Sequence, residues 1–228
     1  MKPHRDRLVA TISIAQAPGQ GKHDPMDMFD EMQGQNGQIR GPYAKFDAWL
    51  SEEDAARLRA KSREAEDLFR LTGITFNVYG RSEAEERLIP FDIIPRIISG
   101  REWQRLERGI EQRVRAINAF LHDIYHRQEI LRAGRVPQEM IANNVAFLPQ
   151  MIGMMPPGGV YTHITGIDLV RTGPDDFFVL EDNARTPSGV SYMLENRETM
   201  LRMFPELFSR NQVRPVSDYP RNLRRSLA

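Results

Sequence analysis

Thr162-His163-Ile164-Thr165-Gly166-Ile167-Asp168-Leu169-Val170-Arg171, followed after Thr172 by Gly173-Pro174-Asp175-Asp176 and then Phe177-Phe178-Val179-Leu180-Glu181-Asp182-Asn183, is two strand-like runs around a reversal. Gly, Pro and Asp supply the backbone angles a tight turn demands, so the stretch reads as a β-hairpin. A four-residue loop at 173–176 pairs Thr172 with Phe177 and places Asp168 opposite Glu181. Side chains alternate along a strand, which puts Asn183 on the face of Glu181. One face of a short ribbon then presents two carboxylates and an amide oxygen. Opposed carboxylates repel, and a divalent cation between them removes the conflict. An all-oxygen set suits Mg²⁺, which takes a few carboxylates and leaves positions for phosphate oxygens. Two other readings stay open at this point: Asp168 and Glu181 as solvated surface residues, or each paired with an arginine such as Arg171 or Arg185.

Beyond the hairpin, Thr186-Pro187-Ser188-Gly189 makes a turn and Val190–Phe204 a helix, with Leu194, Met200, Leu201 and Phe204 inward. Asn183, Ser188 and the amides around Gly189 fall at a strand-to-helix junction, where anions bind readily. On the other side, Met151–Gly159, rich in Met, Pro and Gly, reads as an irregular connector. Pro137 opens a short helix ending near Ala142. Ser99 and Glu102 form a capping box at the start of the longest helix. Its apolar residues, Trp103, Leu106, Ile110, Val114, Ile117, Leu121 and Ile124, recur at three- and four-residue steps, and the pattern runs to about Ile130. Arg113 and Arg115 fall near that stripe and need partners. His122 and His126 share one helix face at a spacing able to hold a metal. No glutamate sits where a zincin has its general base and no third ligand is evident, so the pair reads as two polar, partner-bound side chains.

Toward the N-terminus, Phe91–Ile98 is apolar but carries Pro95, and is expected to be extended at an edge or bulge. Ile74–Gly80 alternates as a strand, and Arg81–Arg87 reads as a charged loop. Ser51-Glu52-Glu53-Asp54 looks like a capped start for a helix to about Leu71, with Leu58, Ala65, Leu68 and Phe69 inward and Gly73 as its stop. Pro42–Leu50 is a further short helix, and Asp30–Gly41 a loop. Residues 1–25 read as a loose tail, 26–209 as one domain, and 210–228, dominated by Pro, Ser and Arg, as a linker. No repeat, Walker loop or dinucleotide-binding glycine pattern is present.

Composition narrows the function classes. The 228 residues carry a formal net charge of zero and no cysteine. Disulfides, thiol nucleophiles and zinc–thiolate sites are thereby excluded. Zero net charge, without interleaved surface aromatics, argues against a nucleic-acid binder. Lysine occurs only at Lys2, Lys22, Lys45 and Lys61, and arginine supplies the remaining cations. Arginine suits anionic ligands, though a GC-rich genome produces the same bias. The apolar run Leu8–Ala15 is marginal for a secretory signal and lacks a clear cleavage site, and no run approaches the ~20 residues of a membrane span. The expectation is a soluble cytoplasmic protein.

Four segments together, Phe76–Gly80, Pro90–Arg96, Phe120–Tyr125 and Leu180–Tyr192, resemble the circularly permuted ATP-grasp family related to glutathionylspermidine synthetase. The likeness runs from about Asp30 to Phe208, and its last segment is the most specific. It implies an α+β fold, an antiparallel sheet with flanking helices forming part of a circularly permuted ATP-grasp domain. It implies ATP-dependent carboxylate–amine ligation: a small-molecule or peptide carboxylate is phosphorylated, and an amine attacks the acyl phosphate. The cofactors implied are ATP and Mg²⁺. Carried over by motif, Asp168, Glu181 and Asn183 are the metal ligands, and Arg185 steadies the acyl-phosphate charge. Ser188 and Gly189 bind the cofactor side, and Tyr192 helps shape the substrate side. Arg96, His122, Asp123, Tyr125, Asn143, Tyr161 and His163 belong to the pattern without separate roles. The likeness also implies a longer chain, whose later half holds the lysines that grip adenine and phosphates. This chain therefore reads as the metal-binding half, either part of a ligase or a non-catalytic module that needs the missing half or a partner chain. Exposed apolar surface and self-association are expected where that half would dock.

Overall fold

A computed structural model describes residues 10–11, 29–34, 37–77 and 86–228. The hairpin forms as strands β4 (Thr165–Arg171) and β5 (Phe177–Asn183), antiparallel. A two-residue strand β1 (Ala10–Thr11) pairs in parallel with Thr165 and Gly166 on the other edge of β4. Part of the expected loose tail is thus a strand, and the rest of residues 1–25 lies outside the described residues. Thr75–Asn77 (β2) pairs antiparallel with Glu86–Leu88 (β3). The end of the expected 81–87 loop is therefore a strand, while 78–85 lie outside the described residues.

The register differs from the expected one in a way that matters. Next to the turn, Arg171 pairs with Phe177 and Leu169 with Val179, one residue out of step with the four-residue loop; further on, Asp168 opposes Glu181 and Gly166 opposes Asn183 as expected. The shift is a β-bulge at Leu180, and its cause is in the sequence. Phe177 and Val179 pack with Ile167 and Leu169 against a helix. Strict alternation would put Glu181 on that same apolar face. One extra residue reverses the phase, so Asp182 turns toward the helix and Glu181 away from it.

That helix is α3 (Gly100–Tyr125), whose Leu106, Ile110 and Val114 are buried with Ile167. Its N-terminus carries the expected capping box: Ser99 Oγ accepts from Glu102 N, and Glu102 accepts from Ser99 N at 2.8 Å. It ends at Tyr125 and not near Ile130, because Gln128 takes a left-handed conformation (φ 54) before the single turn α4 (Glu129–Arg132). Asp123 fixes this break by accepting from the amides of Glu129 and Ile130. The short α5 (Gln138–Ala142) follows Pro137.

A second apolar cluster joins α1 (Ala44–Glu52), α2 (Ala55–Thr72), α6 (Val190–Met203) and α7 (Pro205–Arg210) through Tyr43, Phe46, Trp49, Ala65, Met200, Met203, Phe204 and Leu207. The cap of α2 is Asp54, which accepts from Ala56 N; Ser51 instead belongs to α1 and donates to Ala48 O. Gly73 stops α2 at φ 68. Leu201, expected inward, is exposed, whereas Met203 is buried in this cluster. Phe91–Ile98 forms no strand: Phe91, Ile93 and Ile97 pack on this cluster, and Ile97 N donates to Tyr43 Oη at 2.8 Å. The stretch expected to be a linker, 210–228, contains helix α8 (Tyr219–Leu227).

Candidate functional site

Asp168, Glu181 and Asn183 come together on the hairpin face turned away from α3. Asp168 is 7% exposed, and its Oδ1 is buried with no hydrogen-bond partner. Burial, and then the neighbouring Glu181 carboxylate, raise its carboxyl above the ordinary value. Asn183 Nδ2 donates to Glu181 Oε1 at 3.1 Å, which relieves one of the carboxylate oxygens and leaves the others to face each other. Gly166, opposite Asn183, keeps this corner open. A Cβ there would sit 3.2 Å from the side chain of Pro187 and 3.5 Å from that of Asn183. A buried, unpartnered carboxylate oxygen beside a second carboxylate is a costly arrangement that a hard cation would satisfy. The donor set, all oxygen, fits Mg²⁺. Among the described residues no three His, Asp or Glu side chains cluster as a metal site, so the third donor here is the amide of Asn183.

The arginine alternatives are settled by contacts. Arg171 points to the opposite face, where it binds Glu31 at 2.8 Å and Glu102 at 2.6 Å, and Arg40 bonds the same two acids. Burial pushes the Glu102 carboxyl up, but the Ser99 amide and hydroxyl and the Arg171 guanidinium outweigh it and hold the pKa at about 2. Arg113, expected to need a partner, is bidentate to Asp182 with both contacts at 2.7 Å. Arg115 pairs with Glu111 one turn back. Arg185 is exposed and, among the described residues, forms no ion pair, since Arg113 already holds Asp182.

Ser188 is exposed, and Gly189, at φ 95, precedes α6 without a side-chain cap, so the first amides of a fourteen-residue helix have no side-chain acceptor. Tyr192 instead points inward and donates to Thr75 O at 3.4 Å. Arg96 pairs with Glu31 at 3.3 Å. Sequence reasoning passed over Asn118. Its Oδ1 accepts from Tyr161 N at 2.7 Å and Thr162 N at 3.2 Å, and its Nδ2 donates to Thr162 Oγ1. This side chain moors the entry to β4 onto α3. The available signal was a polar residue on the semi-buried flank of an otherwise apolar stripe.

A hairpin sheet backed by a long helix, with further helices packed beside it, is an α+β architecture. The sequence profile of the family described as "A circularly permuted ATPgrasp" matches residues 95–228, and the chain belongs to that family. It is 49% identical over 199 residues to an uncharacterised protein of Mycobacterium tuberculosis, an alignment covering 87% of this chain and 35% of the relative. A Synechocystis protein is 43% identical over 205 residues, covering 90% and 43%. A Frankia alni protein named "Putative glutamate--cysteine ligase 2-3" is 41% identical over 183 residues, covering 78% and 20%. The chain thus spans about a third of the length of the mycobacterial relative. Among the described residues no helix is long and apolar enough to cross a membrane.

Proposed function

We propose that this chain is the metal-binding part of an ATP-dependent carboxylate–amine ligase that works through an acyl phosphate. The observation that supports this most is the orphaned Oδ1 of Asp168 facing Glu181 beside Asn183. These three residues would hold Mg²⁺, which when bound neutralises phosphate charge during phosphoryl transfer. The chain's own contribution is positional. The bulge at Leu180 aims Glu181 at Asp168, Gly166 keeps the space above Asn183 clear, and Asp182, clamped by Arg113, fixes the strand between them. Arg185, free of any acid among the described residues, supplies positive charge one strand-end away and would stabilise the acyl phosphate. The uncapped amides at the start of α6, with Ser188 and Gly189, offer donors to phosphate oxygens. The substrates are a small-molecule or peptide carboxylate and an amine. In a full-length relative, Asp168→Asn and Glu181→Gln are expected to abolish ADP formation, a loss of at least about 100-fold, with the fold intact. Turnover within a few-fold of the parent would remove the metal assignment.

A second reading concerns this chain by itself. It spans 35% of the mycobacterial relative, and its lysines at 45 and 61 lie on helices of the other cluster. On this reading the chain is a non-catalytic module completed by a further half or a partner chain. Calorimetry with Mg-ATP on the 228-residue chain separates the two: micromolar binding contradicts the module, and no heat supports it.

A further inference from the structure

From Met140 to Ile167 the chain carries no Asp, Glu, Lys or Arg, although 27% of the whole sequence is charged. In the first part of this run Met140, Val145, Leu148, Ile152, Met154 and Met155 are exposed, Val145 at 99% and the others at 46–62%. No described residue covers them.

These side chains are displayed by a segment that the end of α3 holds in place. Phe147 stacks on Tyr125 at 5.2 Å. Leu148 N donates to Tyr125 Oη at 3.3 Å, and Gly153 N to Tyr125 O at 2.8 Å. Tyr161 Oη donates to Met154 O at 3.2 Å and lies 3.3 and 3.4 Å from the δ nitrogens of His122 and His126, whose rings stack one turn apart. Inside the segment the amides of Ala146, Phe147, Met151, Ile152 and Met154 are bonded to Asn144 Oδ1, Asn144 O, Leu148 O, Pro149 O and Met151 O. The backbone is thus satisfied, and what faces water is apolar side chain. Ordering a segment costs conformational entropy, and ordering it to present a contiguous apolar surface marks a contact site.

We infer that this surface on the end of α3 is where the further half that completes the domain docks, through an apolar and uncharged face. The inference rests on reading the chain as part of a longer ligase. The family profile runs through the segment, so the surface belongs to the shared domain. The alignment covers only 35% of the mycobacterial relative, which leaves the larger part of that chain to cover it. The chemistry fits a permanent contact: such interfaces are the more hydrophobic ones, and a surface without charge has nothing to steer an exchanging partner. Methionines, flexible and polarisable, adapt to an opposing surface.

Hydroxyl-radical footprinting of the 228-residue chain and of the full-length mycobacterial relative tests this. Residues 140–155 are expected to label freely in the short chain. In the relative, labelling of the aligned segment should fall to the level of the core positions aligned with Tyr43 and Phe69. Val145→Glu should leave the melting temperature of the short chain unchanged, while glutamate at the aligned position lowers that of the relative. Equal labelling in the two proteins, or a glutamate silent in both, would overturn the proposal. Protection that grows with the concentration of the short chain would overturn it in favour of a second copy, and protection that appears only with phosphatidylcholine vesicles in favour of a lipid surface. The ligase reading is scored separately by ADP formation. If the relative loses it with asparagine at the position of Asp168 while the segment still labels freely, that reading stands and this surface falls; protection with turnover unchanged does the reverse.

Discussion

Asp168 carries an electrostatic cost in the absence of a cation, and that cost is measurable. Its carboxyl is raised by burial and by Glu181. A carboxyl whose folded pKa lies above its unfolded value disfavours the folded state once it ionises. The stabilisation of the protonated form is complete below the ordinary aspartate value of roughly 3.9 and is lost as pH rises through the folded pKa. At pH 7 the penalty is fully present. Asp168→Asn removes the charge and keeps the shape, so the metal-free variant is expected to be more stable than the parent at pH 7. The gain should be about 0.5–1 kcal/mol, the size of a like-charged cross-strand pair, or roughly 1–4 °C in Tm for a chain of this length. Thermal melts at pH 7 and pH 3.5 check it, with the advantage shrinking at the lower pH. A variant that melts below the parent at pH 7 would show that Asp168 makes a favourable contact in the fold, which the orphaned Oδ1 denies.

At the scale of elements, the start of α3 holds the hairpin in place. Glu102 belongs at once to the capping box of its own helix and to the arginine network reaching Arg171 at the end of β4 and Arg40 after residues 29–34. With its pKa at about 2 against an ordinary 4.5, it contributes stability that is complete above pH 4.5 and fades as pH falls toward 2. Glu102→Gln is expected to cost roughly 2–3 kcal/mol at pH 7, because it leaves Arg171, whose side chain is 4% exposed, short of one anion. Urea titrations at pH 7 and pH 3 check it: the gap between parent and variant should narrow at the lower pH. The capping box was legible because Ser and Glu three apart act through local geometry. Arg113 was legible as needing a partner, since it borders an apolar stripe. The Arg40–Glu102–Arg171 network was not, because those residues meet only when distant segments pack. The end of α3 was missed for a similar reason: apolar periodicity continues to Ile130, but the Asp123 carboxylate captures the next amides and breaks the helix. The bulge shows the same limit inside the site. The four-residue loop placed Asp168 opposite Glu181, but at the turn Arg171 and not Thr172 pairs with Phe177. The pair forms because the extra residue at Leu180, which follows from α3 demanding Phe177 and Val179 on one face and offering Arg113 to Asp182, offsets that one-residue difference.

Across the whole molecule, the two apolar clusters lie behind the hairpin and among α1, α2, α6 and α7, and neither covers the face that carries Asp168. That face shows Val170, Phe178 and Leu180 at 38%, 61% and 59% exposed. Among the described residues β5 is also the last strand of its sheet, so its outer backbone groups lack a strand partner. An apolar edge strand is a template for association, and relatives in which this region is about a third of the length have ample chain to cover it. The 228-residue chain alone is therefore expected to self-associate with rising concentration. Phe178→Glu should shift it toward monomer, with little effect on stability because Phe178 lies outside both clusters. Sedimentation velocity over a tenfold range in the micromolar region checks this. Glutamate at an exposed edge position opposes pairing by charge, so a sedimentation coefficient that climbs with concentration in the parent and stays flat in Phe178→Glu places the contact on β5. A parent that sediments as a monomer throughout would show that the bulge at Leu180 and the acids beside it already protect the edge.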